Sequence, residues 1–531
     1  MELIIRGGRI WTGDPANPWA EAMAVRHGRI LAVGREDQLQ ELPRPGARRV
    51  DAEGATILPG LVDSHTHFLT GGFQLASVDL RDAGTPEEFV ERIADFADTL
   101  PPGAWILGGS WDHERWGGGL PHREWIDPVT PENPVFVRRL DLHMGLANTR
   151  AMELAGFDFL SSDPAGGEIV RDPVTRDPTG IFKDEAMKLV LSAVPVPSTA
   201  EWDRALAAAV SHALSLGITQ LHDVDGWSSL TVYERARAED RLPLRIYSVV
   251  PMASWERLRD RIRRAGRGDE GLWWGGLKGF VDGSLGSSTA WFHDPYIDAP
   301  DTTGLMVTDP DALRESIRAG DAAGLQAVVH AIGDRANDWL LGVYGELAER
   351  NGPRARRHRV EHAQHLSPGA VHRFARLGVI PSVQPYHAAD DGRWAERRIG
   401  PERVRRTYPF RSLLDAGARL AFGSDWTVAP LDPFLGIEAA VTRRTLDGAH
   451  PDGWVPEERI RLEEALTAYT LDAARAGMSD GFSGSLTPGK VADFVILDRD
   501  LFALPETELA SVRVERTFVG GREVYRSEES P

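Results

Sequence analysis

The 531-residue chain contains no cysteine. That absence excludes disulfides, thiolate nucleophiles, iron–sulfur clusters and cysteine-ligated zinc, so any metal must sit on His, Asp, Glu, Lys or water. Long apolar runs are missing as well. No stretch of roughly 18 apolar residues occurs, and no transmembrane helix is expected. The opening segment, MELIIRGGRIWTGDP, reaches Gly and Pro too early for a signal peptide's apolar stretch, so a cytoplasmic protein is the default expectation. Positive charge is also short. The 60 Lys and Arg are outnumbered by 79 Asp and Glu, a formal net charge of −19. Such a balance argues against nucleic acid or an anionic membrane as partner and reads as solubility. With 42% hydrophobic and 26% charged residues, disorder is excluded as the main state. Histidine is what remains to explain, with 16 residues.

Length alone admits three or four domains, or one α/β barrel with additions. Both ends of the chain read as short strands punctuated by Gly, with a Gly-Gly hairpin signal at Gly520 and Gly521. Neither end is long enough for its own core, so residues 1–57 and 486–531 are expected to pair into one composite β-sandwich domain. Between them, short apolar runs alternate with helical patterns. Eight strand candidates fall near 56–67, 218–223, 244–250, 277–283, 325–334, 358–364, 378–385 and 418–426. Helical patterns cover 201–216, 230–238, 311–323, 336–349 and 368–377. This order predicts a (β/α)₈ barrel across 58–485. An open doubly wound sheet is the runner-up, but it lacks a glycine-rich dinucleotide turn after its first strand. The first two strands are too far apart for a simple crossover, so an inserted subdomain is expected at about 72–200.

The histidines fall at strand ends. His65 and His67 close the first strand, and a spacing of two puts both rings on one face. Lys278 lies in the fourth strand, His330 ends the fifth, His362 ends the sixth and Asp425 ends the eighth. All lie toward the C-terminal face, where barrels carry their chemistry. Each alone has a plain explanation: a core histidine, a helix-capping Asp, or a Lys278–Asp282 ion pair. Six such residues across five strands are better explained as one metal site.

With PGLVDSHTH, GSLTPGKVADFVILD and those six residues in place, the chain resembles the amidohydrolase superfamily of metal-dependent hydrolases over essentially its whole length. The segments GGSWDHERW, FVDGSLGSSTA, HAIGDRA and VEHAQ resemble more closely the branch that includes N-substituted formamide deformylases. The resemblance implies two divalent metal ions, zinc first, with iron, manganese, cobalt or nickel also suited. It implies that His65, His67 and Asp425 hold one ion, that His330 and His362 hold the other, and that an N6-carboxylated Lys278 bridges this binuclear metal centre. A mononuclear site with unmodified Lys278 is the competing arrangement. The implied reaction is hydrolysis of a carbon–nitrogen bond in a small-molecule N-substituted amide or formamide, with Asp425 as general base and then acid. Alternatives are hydrolysis of a cyclic amide, ester or carbamate, or deamination of a heterocycle. A metal-free scaffold or binding protein is the remote alternative, since every ligand is present.

Candidates for substrate contact are Trp111, Asp112 and His113 in the insertion, His222 at the end of strand two, Trp291 and Trp426. Trp116 is a further candidate wall. Core packing competes for the tryptophans, His143 and His222, and His222 also suits holding a ligand by hydrogen bond. Asp334 and Arg335 read as capping and ion pairing. Glu361 precedes His362 and, by strand alternation, is expected to point away from the mouth and be structural. A homodimer is the expectation from common symmetry.

Overall fold

The computed structural model describes residues 2–39, 47–352 and 354–528. Its centre is an eight-stranded parallel sheet in sequential order: β1 (Leu61–Thr66), β2 (Ile218–Asp223), β3 (Arg245–Pro251), β4 (Leu272–Phe280), β5 (Gln326–Ala331), β6 (Arg359–His362), β7 (Ile380–Val383) and β8 (Ala421–Phe422). Beyond β8 the chain closes the sheet onto β1, with Asp425 N donating to His65 O at 2.8 Å and His67 N to Trp426 O at 2.7 Å. This is the expected barrel. Most of its strands are buried throughout, as parallel strands covered by helices must be, which is why they read as unbroken apolar runs. The intervening helices match the periodic patterns, at Thr199–Ser215, Trp227–Ala238, Pro310–Ala322, Asp334–Asn351 and Ala370–Leu377. The first begins at a capping box: Ser198 accepts from Glu201 N, and the Glu201 carboxylate accepts from Ser198 N at 2.7 Å.

The candidate strand at 56–67 is two strands, divided at Gly60. Thr56–Pro59 pairs with Arg9–Trp11 and Phe494–Leu497, whereas β1 pairs with β2. A Cβ at Gly60 would lie 2.1 Å from Thr219 Oγ1, so only glycine lets the chain pass between the two sheets. A four-stranded sheet from the N-terminal segment and a six-stranded sheet joining both chain ends enclose a separate apolar core. Within it Phe494 stacks on Phe518 at 4.3 Å.

Between β1 and β2 the chain builds a six-stranded mixed sheet, running from Val78–Asp79 to Pro178–Asp184, with helix Pro86–Asp98 against it. This layer has its own buried clusters around Phe89, Trp111, Phe136 and Phe182. It brings Arg138, Arg139, Asp141, His143 and Asp184 over the mouth of the barrel. Among the described residues no helix is long and apolar enough to cross a membrane.

Candidate metal centre and its cavity

β1 delivers His65 and His67 to the barrel mouth. The His65 ring is buried, and its Nδ1–H donates to Glu361 in a short contact. Glu361 is itself held by Arg359 through Nε–Oε1 at 2.7 Å and Nη2–Oε2 at 2.8 Å. The His67 Nδ1–H donates to Asp225 Oδ1 at 2.9 Å. Each ring therefore has one nitrogen fixed by a carboxylate, which sets the tautomer and leaves Nε2 as the lone-pair donor. Both free nitrogens face one oxygen. Asp425 Oδ1 lies 3.5 Å from His65 Nε2 and 3.6 Å from His67 Nε2.

Three further residues complete the cluster. Lys278 Nζ lies 3.3 Å from His65 Nε2. His362 accepts orientation from Gln384, Nδ1 to Oε1 at 2.8 Å, and its ring stands 4.5 Å from that of His330 and 5.2 Å from that of His65. His330 Nε2–H donates to Gly283 O at 3.0 Å. The ligand atoms of His65, His362 and Asp425 lie within 4.8 Å of one another, close enough to share one ion. His362 and Asp425 both adopt left-handed backbone, with φ of 73° and 57°. Non-glycine residues in that region carry strain of about 1–3 kcal/mol, and such strain collects at functional sites.

Electrostatics favour ligation. Burial lowers the basicity of His65, His330 and His362 well below the ordinary imidazole range, and for His65 the nearby Lys278 adds to it. Neutral imidazole is the form that binds metal. Burial also pulls Lys278 down to about 8, against the opposing pull of Glu361 and Asp425. Burial raises Asp425 to about 6, although His67 and Lys278 favour its anion.

The cluster forms the floor of a cavity of about 390 Å³. Its walls combine apolar side chains, among them Leu140, Met187 and Ile332, with charged groups from the insertion. His143 and Asp184 pair at 2.5 Å on one wall, and Asp184 lifts His143 to about 9 despite burial.

Of the residues expected to touch substrate, only Asp112 lines this cavity, and its oxygens are occupied by Arg139 and Arg393 at 3.2 and 2.9 Å. Trp111 is buried in the insertion's own core, donating Nε1–H to Val137 O at 2.9 Å. Trp116 packs beside it on Phe89. His113 turns from the site to Arg139, 3.2 Å away, in a neighbouring cleft. His222 lies below the cluster and accepts from Arg359 at 3.0 Å, so it supports the Arg359–Glu361–His65 chain rather than substrate. Trp291 lies outside the cavity under the Arg335 guanidinium, at 4.4 Å. Trp426 packs on Phe68 and His212 in the layer between barrel and helices. Both residues follow the end of β8, and with left-handed backbone at Asp425 the carboxylate faces the site while Trp426 packs behind it.

Strand alternation fails to place Glu361. Left-handed backbone at His362 and Ala363 ends the alternation, so Glu361 and His362 both reach the interior. Glu361 is thus a partner of His65, correcting the expectation that it points away. Lys278 does not pair with Asp282, whose oxygens accept from the backbone of Trp291, Ile332 and Gly333. Asp63, Asp225, Arg359, Gln384 and His387 escaped sequence reasoning. Asp63 ties β1 to the chain after β8, accepting from His65 N at 3.0 Å and Ser424 N at 3.1 Å. The charged pair Arg359 and Glu361, two apart in a short buried strand, was the available signal.

A family model described as "Amidohydrolase family" matches residues 48–525. The chain belongs to the amidohydrolase family. Among curated amidohydrolase relatives, the putative amidohydrolase YtcJ of Bacillus subtilis is 31% identical over 99% of both chains. The N-substituted formamide deformylase of Arthrobacter pascens is 30% identical over 98% of this chain and 97% of that protein. Protein LONG AFTER FAR-RED 3 of Arabidopsis thaliana is 42% identical over 99% of this chain and 91% of that protein. A crystal structure of an uncharacterized metal-dependent hydrolase from Pyrococcus horikoshii superposes with a TM-score of 0.76 at 27% identity, covering 95% of this amidohydrolase and 99% of that chain.

Proposed function

We propose that this amidohydrolase cleaves a carbon–nitrogen bond of an N-substituted amide or formamide with the help of divalent metal. The observation that carries the reading is the convergence of His65 Nε2 and His67 Nε2 on Asp425 Oδ1, with each Nδ1 tied to a carboxylate. Imidazole and carboxylate donors of this kind suit zinc, and also iron, manganese, cobalt or nickel. His65, His67 and Asp425 would hold one ion, and His330 and His362 a second. Lys278 stands beside His65, and with its basicity lowered to about 8 its amine could add carbon dioxide, losing a proton, and would then serve as an anionic carbamate ligand. The ions supply Lewis acidity and lower the pKa of water from about 16 toward 7.

The chain's own residues do the rest. Asp425 takes the proton of the attacking water and returns it to the leaving nitrogen, a double duty that a value near 6 suits. Glu361 and Asp225 keep the two rings from rotating out of line. The apolar walls receive the substituent on nitrogen and exclude water around it. The domain division belongs to this proposal: residues 1–57 with 486–531, the barrel at 58–485, and the insertion at about 72–200 as the roof of the site. The formamide deformylase relative supports the amide as substrate class.

The test is turnover of formamides, N-acyl amino acids, cyclic imides, esters and heterocycles by metal-loaded protein. Open-chain amides should be cleaved fastest. Turnover of an ester or heterocycle with none of any amide would overturn the reaction. Metal content per chain, with carbon-13 NMR after exposure to labelled carbon dioxide, separates a binuclear centre from a single ion beside bare Lys278.

A further inference from the structure

One charge in the cavity has no task in that reaction. Arg138 comes from the insertion strand Phe136–Arg139 and lines the cavity together with His67, Lys278 and Asp425. Its neighbour Arg139 is fully engaged, with Asp112 at 3.2 Å and Asp141 at 2.8 Å. Arg138 is not. Among the described residues its half-buried guanidinium makes no hydrogen bond or ion pair, and the one charge that bears on it is Asp225. Both oxygens of Asp225 are already committed, Oδ1 to His67 at 2.9 Å and Oδ2 to Thr70 N at 3.0 Å.

The other acids around the cavity have their own partners. Asp112 and Asp390 hold Arg393, Asp184 holds His143, and Asp391 accepts from Tyr408. Among the described residues no side chain is left to neutralise Arg138. A guanidinium cannot shed its proton, so a partly desolvated one is unfavourable until something brings it a counter-charge. Its rigid fork of N–H donors fits the two oxygens of a carboxylate better than a single carbonyl. The carboxylate that bears on it, Asp225, is the one that holds His67, which puts Arg138 toward the His67 side of the centre. The same cavity lining includes the apolar side chains of Leu140, Leu142 and Met187.

We propose that Arg138 selects an acidic substrate: its guanidinium pairs bidentately with a carboxylate carried by the amide, as in an N-acyl amino acid. The inference rests on the amide-hydrolase reading and narrows its substrate class. Arg138 is a binding residue and takes no part in proton transfer.

Calorimetry on the full-length, metal-loaded protein tests this with two probes that contain no cleavable amide. They are 4-phenylbutyrate and its neutral isostere 5-phenylpentan-2-one. Wild type should bind the acid at least about tenfold more tightly than the ketone, as a charge-assisted pair implies. Arg138→Met should weaken the acid by roughly 10- to 100-fold and leave the ketone within about threefold. Arg138→Lys should keep part of the preference. If Arg138→Met fails to fold, as judged by circular dichroism, Arg138→Gln takes its place. No preference in wild type, or a preference that survives loss of the guanidinium, overturns the proposal. Selective acid binding without amide turnover would leave Arg138's role standing and remove the hydrolase reading. Amide turnover without acid preference would do the reverse.

Discussion

Asp425 concentrates three demands on one side chain: it faces two imidazoles, sits in left-handed backbone, and is raised to about 6 by burial. Asp425→Asn should leave a folded protein whose turnover falls by at least about 10²-fold, the lower range for acid–base residues. Near-wild-type turnover would refute the role. Glu361 gives a second expectation. Removing it outright would strand Arg359, fully buried, without its counter-ion, and a broken buried pair costs about 3–5 kcal/mol. The isosteric Glu361→Gln keeps a hydrogen-bond acceptor and the packing, while removing the negative charge that faces both His65 and Arg359. It should weaken metal binding by roughly 10- to 100-fold, read by competition with a chromogenic chelator. Unchanged affinity would reduce Glu361 to packing. At this scale the sequence was informative wherever a residue closed a strand and silent wherever it approached from elsewhere. His65, His67, His330, His362 and Asp425 announced themselves by position. Asp225 and Asp63 did not, because nothing in a single run of letters says that β2 lies beside β1 or that Ser424 lies over Asp63.

At the level of elements, the periodic patterns located all eight barrel strands and five of the helices. They misread one junction. TILPGLVDSHTH is continuous in hydropathy, yet Gly60 divides it between two sheets because Thr219 fills the space a side chain would need. Gly60→Ala should therefore destabilise the protein by about 1–3 kcal/mol, the range for overpacking. Urea unfolding is the measurement. Thr219→Ala should recover part of the loss in a double-mutant cycle. Strictly additive effects would show that the two positions do not meet. The tryptophans were misplaced for a related reason. Aromatics near a site look the same in sequence whether they face the cavity or the layer behind it, and for Trp111 and Trp426 core packing won.

Across the whole molecule the two chain ends are held together by charge as well as by apolar contact. Against a burial penalty, hydrogen bonds from Arg526, Arg516 and Arg48 hold Glu523 down at about 2. A carboxyl lowered on folding contributes stability that is complete above its unfolded value near 4.5 and disappears as pH falls through about 2. Wild type should thus melt above Glu523→Gln at pH 6, and the gap should narrow as pH falls below 4.5. A gap independent of pH would show that the carboxylate's charge is irrelevant there. Metal contributes at the same scale. Ions bound only by the folded barrel stabilise it by mass action, so chelation should lower the melting temperature and added zinc should restore it. No change on chelation would argue against ligands drawn from five separate strands.

The sequence by itself determined the barrel, the pairing of the two ends, the presence of an insertion and the identity of the residues that end the strands. These follow from local periodicity and from residues whose chemistry has few other uses. Only the tertiary structure decided which carboxylate fixes which imidazole, that Glu361 turns inward, and that Arg138 lines the site with no partner among the described residues. Those are relations between segments far apart in the chain, such as His65 with Glu361 and His67 with Asp225. Their energies depend on burial and distance, which exist only once the barrel has closed.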